Sequence, residues 1–284
     1  MRRIRLRVAY DGTEYHGWQV QENGITVEQV LVEALGSLLK QKTEIIGASR
    51  TDAGVHALGN VAVFDTDSRI PPEKFALALN RYLPADVRVV YSDEVSRSFH
   101  PRYSESVKYY EYTILESPVE IPVWSRYAHH VYRPVDVERM RRAADVLIGT
   151  HDFSAFCSAG SQVKDKVRTI HGIRIEEEAL AGQARYGLPG ISDGRRVRIR
   201  VWGNGFLYNM VRIISGTLIE VGTGCRLAES VSAALESGER SQAGPTAPPR
   251  GLMLLGIRYV QDEEFFCRTD IRPVRKEGGL GKNS

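Results

Sequence analysis

Hydrophobic and polar residues follow two spacings along the first hundred positions, and these predict strands and helices in turn. Basic and apolar residues alternate from Arg3 to Tyr10, as they do in a half-buried strand. After Thr26, which has capping-box spacing to Gln29, apolar residues recur at helical intervals up to Lys40. The remaining predicted elements are strands at 44–46, 60–64 and 86–95 and a helix that begins at Pro71. The predicted order is β-α-β-β-α-β.

The second half of the chain predicts a similar order of elements. Strands are expected at 107–115, 168–176, 196–202 and 251–260, and helices at 135–148, 206–221 and 227–235. The helix over 206–221 carries apolar residues on nearly every side, which indicates deep burial. A glycine-rich loop over 181–194 joins two of the strands. The sequence therefore predicts an α+β fold of two ferredoxin-like halves, with antiparallel sheets that flank a central cleft.

Both periodicities break over residues 96–106, and this break predicts a domain boundary. The predicted units are an N-terminal α+β domain over residues 1–100 and a C-terminal α+β domain over residues 101–267 that completes the cleft. Residues 268–284 contain several arginines, lysines and glycines and few residues to bury, so we expect a basic, flexible tail.

Composition narrows the class of protein without naming a partner. Of 284 residues, 42% are hydrophobic and 26% charged, as in an ordinary globular protein, and the net charge is only +3. Cys157, Cys225 and Cys267 lie far apart without CxxC spacing, which argues for a reducing compartment and against a structural zinc site. No apolar run approaches the roughly 20 residues of a membrane span, and the N-terminus alternates like a strand. We expect a cytoplasmic protein without membrane, metal or cofactor.

Positive charge is concentrated on two predicted strands. Arg3, Arg5 and Arg7 share one face of the first strand. A second such ladder consists of Arg196, Arg198 and Arg200. Either these faces are solvated and neutralised by acidic residues, or they bind phosphates, in which case binding falls steeply with salt. In the second case three aromatic residues near the first ladder are candidates for stacking on exposed bases: Tyr10, Tyr15 and Trp18.

The loop between the strands at 44–46 and 60–64 holds the most unusual combination of residues. It places Arg50, Asp52 and His56 among glycines and alanines, which leave room for a close approach to the backbone. A nearby guanidinium would lower the pKa of Asp52 and prepare its carboxylate as a nucleophile or base. Alternatively, Asp52 caps a helix or closes a turn, with Arg50 as a surface partner.

Four further segments carry candidate chemistry, each with a structural alternative. Residues 10–21 form a loop that contains glycines and Trp18. Tyr110 and Tyr112 share one face of a strand, where they either cover the edge of the core or belong to a functional site. Arg212 lies in the buried helix, so it needs a partner, and Asp52 is the obvious candidate. His151 with Asp152 invites a metal or triad interpretation, but no second pair has ligand spacing.

Together these segments resemble the tRNA pseudouridine synthase A family. Residues 49–57 match its active-site loop GRTDxGVHA, with Ser49 in place of the first glycine, and residues 10–21 match YDGTxFxGWQxQ. Residues 108–112, 203–212 and 248–254 are similar to its RxYxY, GxxFLxxMVR and APxxGLxL segments. The resemblance implies that Asp52 is the essential aspartate, Arg50 its ion-pair partner and Tyr110 the tyrosine that stacks on the base. It places Arg212 in the catalytic cleft, with Leu252 and Leu254 as candidates for its lining.

The resemblance implies isomerisation of uridine to pseudouridine at positions 38, 39 and 40 of tRNA, by a homodimer that needs no cofactor. In this interpretation Arg50 and Arg212 support Asp52 electrostatically, and Arg3, Arg5 and Arg7 bind phosphates. Whether Asp52 attacks the sugar, attacks the base or removes a ribose proton is left open. Two rival functions also remain, a binding-only RNA module and a carboxylate-dependent hydrolase that uses Asp52 and His56.

Overall fold

The computed structural model describes residues 1–161, 163–180, 194–260 and 262, and in this part of the chain ten strands form one sheet. The strands are β1 (Arg2–Tyr10), β2 (Ile46–Gly47), β3 (His56–Thr66), β4 (Val87–Val95), β5 (Ser106–Glu116), β6 (His129–Val131), β7 (Gly149–Asp152), β8 (Val167–Ala179), β9 (Arg195–Gly203) and β10 (Leu252–Tyr259). The helices are α1 (Val27–Leu39), α2 (Phe75–Leu79), α3 (Val137–Asp145), α4 (Met210–Gly222) and α5 (Ser230–Ser237). The predicted α+β class is therefore confirmed.

The two halves of the chain meet at the centre of this sheet. The strand order is β4-β1-β3-β10-β5-β9-β8-β7, with β2 paired to β3 and β6 to β5. Neighbours on this path are antiparallel except β3 and β10, which run parallel, with Met253 opposite His56 and Leu254 opposite Ala57. Because β3 follows the Asp52 loop directly, this pairing carries that loop to the boundary between the halves.

Helix α1 begins and ends as its sequence predicts. Thr26 caps it by accepting a hydrogen bond from the Gln29 amide, and Lys40 closes it in the left-handed conformation. Val27, Leu31 and Leu35 are fully buried on its inner face. No helix in the described ranges is long and apolar enough to cross a membrane.

Helix α4 begins four residues later than its periodicity predicts. Asn209 has φ of 60°, a left-handed conformation that asparagine tolerates better than most residues but that cannot continue a helix backwards. Residues 206–209 therefore form an irregular segment before the helix. As predicted, α4 is buried on nearly every side.

The other differences between the predicted and the observed elements concern the bounds of a helix, two short strands and residues outside the described ranges. The predicted helix over 135–148 is shorter, because Asp136 caps α3 through the Arg139 amide and the helix ends at Asp145. Strands β6 and β7 have only three and four residues, too few to show a period. Most of the predicted loop over 181–194 and the whole tail over 268–284 lie outside the described residues. The domain boundary near residue 100 stays a prediction.

The first arginine ladder is neutralised inside the protein. Arg3 makes a bidentate contact with Asp65, at 2.8 Å for both hydrogen bonds, and Asp65 is its register partner on β3. Arg5, only 4% exposed, bonds to Asp93, its register partner on β4, and to Asp262 at 2.6 Å. The Arg7 guanidinium lies over the ring of Tyr91 and 3.9 Å from Asp262.

The second ladder is neutralised in the same way. Arg200 contacts Glu111 and Glu176, and both Arg196 and Arg198 contact Glu178. This arrangement gives no support to the expectation that the first ladder binds phosphates, because carboxylates on adjacent strands already pair with Arg3 and Arg5 and Asp262 lies near Arg7. The alternative of a neutralised sheet face describes both ladders.

Substitution Arg5→Met should lower stability, since it leaves the carboxylates of Asp93 and Asp262 without their shared cation. We expect the free energy of unfolding, measured by urea denaturation, to fall by about 3 kcal/mol. Arg139→Met is the matched control, because Arg139 pairs with Asp136 on an exposed helix surface, and it should change stability by less than about 1 kcal/mol. Equal losses in the two variants would show that the buried pair contributes no more than a surface one.

Candidate active site

Asp52 lies at the base of a cleft formed at the junction of the two halves. Its side chain is 21% exposed, and its carboxylate oxygen Oδ2 accepts a hydrogen bond from Arg212 Nη1 at 3.2 Å. The loop turns back on itself, because the Val55 amide donates to the Asp52 carbonyl at 3.1 Å. Gly54 follows with φ of 76°, a conformation that favours glycine.

The loop over residues 10–21 holds this turn from behind. The amide of Trp18 donates to the Thr51 carbonyl at 3.1 Å, and that of Gly54 donates to the Tyr15 carbonyl at 3.2 Å. A Cβ on Gly12 would lie 2.0 Å from the Val55 carbonyl oxygen, so only glycine allows this approach. The predicted base-stacking role of the aromatic residues here is wrong, because Tyr10, Tyr15 and Trp18 are all buried in the core.

Arg212 reaches Asp52 from the first turn of α4. Its guanidinium also donates to the Asn209 side-chain oxygen at 2.7 Å and to the Ala247 carbonyl at 2.8 Å. Three acceptors from three segments therefore hold this cation in place. Because an arginine in a buried helix needs a partner, the sequence predicts the contact between Arg212 and Asp52 that is observed here.

Arg50 does not occupy the position that the sequence analysis expects. Its side chain is exposed on the cleft wall, and among the described residues it forms no ion pair with Asp52. Burial raises the pKa of Asp52 above its usual range, and the Arg212 guanidinium offsets only part of that rise. The prediction that Arg50 lowers this pKa is therefore wrong. The pKa is raised, and the guanidinium that opposes the rise belongs to Arg212.

Tyr110 lines the cleft beside the loop. Its hydroxyl shares a 2.9 Å hydrogen bond with the Ser49 hydroxyl, and its ring meets Phe206 edge-on at a centroid distance of 5.2 Å. Burial raises the pKa of Tyr110 to about 12. Tyr112, two residues along β5, is fully buried and donates to the Pro248 carbonyl, so it belongs to the core.

The cleft has a volume of about 720 Å³, and its lining combines apolar residues with several cationic ones. Leu252 lines it, as expected, but Leu254 does not, because that side chain is fully buried in the core. Several further residues line it, although no feature of the sequence predicts a role for them. These are Arg102, Tyr103, Lys108, Arg168 and Tyr208. Tyr103 and Tyr208 are exposed at the rim, where a base could stack on them.

His56 faces away from this cleft. It is 2% exposed, its Nδ1 accepts from the Gly12 amide at 3.1 Å, and its Nε2 lies 2.8 Å from the Arg126 carbonyl. Both ring nitrogens of His56 are therefore engaged by the backbone of other segments, one at Gly12 and one at Arg126. A hydrolase that pairs Asp52 with His56 does not fit this arrangement.

His151 and Asp152 have a structural function in the fold. Asp152 accepts from the amide and hydroxyl of Ser154 and so closes a turn, while His151 Nε2 lies 3.1 Å from the Ile148 carbonyl. In the described ranges no group of three or more potential ligand side chains is arranged to hold a metal ion.

Comparison with known proteins is consistent with this geometry. A family model described as tRNA pseudouridine synthase matches residues 7–104 and 143–260, which include Asp52, Arg212 and the lining residue Leu252. The chain belongs to the tRNA pseudouridine synthase family.

Similar members of the tRNA pseudouridine synthase family align with most of the chain. The tRNA pseudouridine synthase A of Thermoanaerobacter sp. (strain X514) is 45% identical over 259 residues, which cover 91% of this chain and 100% of that protein. That of Acetivibrio thermocellus has the same identity and coverage. The tRNA pseudouridine synthase A 2 of Clostridium tetani is 46% identical over 260 residues. These matches confirm the predicted family and the enzyme class, a tRNA-modifying isomerase.

Proposed function

We propose that this protein converts uridine to pseudouridine at positions 38, 39 and 40 in the anticodon stem-loop of tRNA, with Asp52 as the essential catalytic residue. Family membership supports the reaction and the RNA substrate. The observation that carries the assignment of Asp52 is its 3.2 Å contact with Arg212 at the base of the cleft. The positions within tRNA follow from the resemblance of the motifs alone.

The reaction conserves all atoms. The bond between the uracil N1 and the ribose C1′ breaks, the uracil turns, C1′ bonds to the uracil C5, and the proton displaced from C5 is replaced at N1. Attack on the sugar, attack on the base and removal of a ribose proton all require the ionised form of Asp52. A carboxylate whose pKa is raised by burial is a stronger base than an exposed one, while Arg212 keeps it charged.

The walls of the cleft suit an extruded base. To reach Asp52, the uridine must leave its stack in the anticodon region. Tyr110, fixed by Ser49 and Phe206, offers a ring against which the uracil can turn, and Leu252 supplies apolar surface. Arg50, exposed on the wall, supports the site electrostatically from the substrate side.

The rival functions are less compatible with the lining of the cleft. A carboxylate-dependent hydrolase needs a second acid, but Asp52 is the only carboxylate among the described lining residues. A binding-only RNA module would not need a buried carboxylate in a site for polyanionic RNA, because that charge repels phosphate. These observations favour the isomerase.

The remaining parts of the proposal concern architecture and location. Two ferredoxin-like units are supported by the strand orders β4-β1-β3-β2 and β10-β5-β9-β8. In each order the last strand of the unit along the chain lies beside the first, followed by the third and the second. The same strand orders support the proposed division into domains over 1–100 and 101–267. The homodimer and the cytoplasmic location rest on the family resemblance and on the cysteine spacing.

Replacing Asp52 tests the catalytic role. Asp52→Asn keeps the shape of the side chain but removes the charge, so pseudouridine formation should fall by at least about 100-fold. The assay follows pseudouridine at each position of an unmodified tRNA transcript with uridines at 38, 39 and 40. Asp145→Asn, an exposed carboxylate at the end of α3, is the matched control and should retain full activity. Turnover by Asp52→Asn close to that of the control would refute the role, and modification elsewhere would refute the positions.

Two substitutions at Tyr110 separate stacking from proton transfer. Tyr110→Phe keeps the ring and should retain activity within about tenfold, since it loses only one hydrogen bond. Tyr110→Ala removes a stacking contact of about 1–3 kcal/mol, which corresponds to roughly 5- to 150-fold. If the two variants lose activity equally, the hydroxyl rather than the ring is what the reaction requires.

A further inference from the structure

Three cations on one wall of the cleft have no carboxylate partner among the described residues. Arg102 lies in the segment before β5, Lys108 on β5 and Arg168 on β8, and all three line the cleft. Within the described ranges the Arg102 side chain donates only to the Gly47 carbonyl, and the Arg168 side chain only to the carbonyls of Asp165 and Val167. The Lys108 amine makes no hydrogen bond or ion pair with another residue in the described part of the chain. We call these three side chains the cationic wall.

The cationic wall differs from the two arginine ladders on the same sheet. Each ladder arginine has a carboxylate within 4 Å of its guanidinium, as Arg3 has Asp65 and Arg200 has Glu111. The register partners of Lys108 are Gly203 on β9 and Ile257 on β10, neither of which carries a charge. Its charged neighbours, Arg102 and Arg168, repel it. An anionic group from a ligand would relieve this repulsion.

The position of Lys108 relative to Tyr110 indicates which anionic group. The two residues lie two apart on one face of β5, about 7 Å along the strand. One side chain can therefore contact the base of an extruded nucleotide while the other contacts its backbone. We propose that Lys108, with Arg102 and Arg168 beside it, binds the phosphodiester adjacent to the extruded uridine.

This proposal rests on the proposed function, because it takes RNA as the ligand. It adds a positioning residue to that function. By fixing the backbone next to the uridine, Lys108 would hold the base against Tyr110 and within reach of Asp52 without itself taking part in the reaction.

The proposal has a consequence for pH. Burial, with the repulsion from Arg168 and Arg102, lowers the pKa of Lys108 to about 8. A bound phosphate favours the ammonium form and raises that pKa, so binding takes up a proton above pH 8. RNA affinity should then fall about tenfold between pH 7 and pH 9, since a group with a pKa of about 8 loses most of its charge over that range.

The experiment measures binding of an unmodified tRNA transcript to the full chain by fluorescence anisotropy, as a function of pH and of salt. Lys108→Arg keeps the charge up to pH 9, so its affinity should not change with pH over this range. Lys108→Met should bind weakly at every pH, and its plot of log affinity against log salt should lose close to one unit of slope. Lys74→Met, an exposed lysine outside the cleft, is the matched control and should behave as the unsubstituted chain.

Two results would overturn the proposal: a pH dependence in Lys108→Arg equal to that of the unsubstituted chain, or an unchanged salt slope in Lys108→Met. Thermal unfolding of each variant checks that it is folded.

Pseudouridine formation, measured on the same preparations, separates this proposal from the proposed function. If the unsubstituted chain forms no pseudouridine but Lys108 controls binding, the proposed function fails and the phosphate site stands. If it forms pseudouridine and the Lys108 variants bind normally, only the phosphate site fails.

Discussion

The ion pair between Asp52 and Arg212 is the interaction on which the site depends. The two residues are 160 positions apart, one in the loop before β3 and the other in the first turn of α4. The parallel pairing of β3 with β10 joins the two halves of the chain beside this contact. Removing a carboxylate from water is costly, and a single hydrogen-bonded guanidinium compensates only part of that cost. The result is a poorly solvated carboxylate in an open cleft, with Arg212 favouring its charged form, which is the form that a base or nucleophile needs.

The distribution of charge over the rest of the sheet supports the same conclusion. Along β1 and β9 the arginines lie close to carboxylates, several of them at register positions, so these strands contribute stability rather than an RNA-binding surface. Cations without such partners line the cleft instead, next to the one carboxylate that the described lining contains. A polyanionic ligand is therefore attracted to the cleft that holds Asp52. The net charge of +3 gives no indication of this arrangement.

Some of this could be predicted from the sequence, and the reasons are local. Helix α1 carries its own cap and its own apolar stripe, and the loop around Asp52 is distinctive because it combines reactive side chains with glycines. Arg212 could be assigned to Asp52 because a buried arginine needs a partner. What could not be predicted depends on which strands are neighbours. The partners of Arg3 and Arg5, the burial of Leu254, the exposure of Arg50 and the position of Lys108 all follow from strand pairing, which periodicity does not encode.

The most direct test of the central claim is a titration of the Asp52 carboxyl carbon by NMR in protein labelled with ¹³C-aspartate, with Asp52→Asn used to assign the signal. We expect a pKa above the ordinary value of about 3.9 for aspartate. This pKa should rise further in Arg212→Met, which removes the cation that favours the charged form, and should rise less in Arg212→Lys. An Asp52 that titrates at or below the ordinary value, or whose pKa is the same with and without the Arg212 guanidinium, would contradict the central claim.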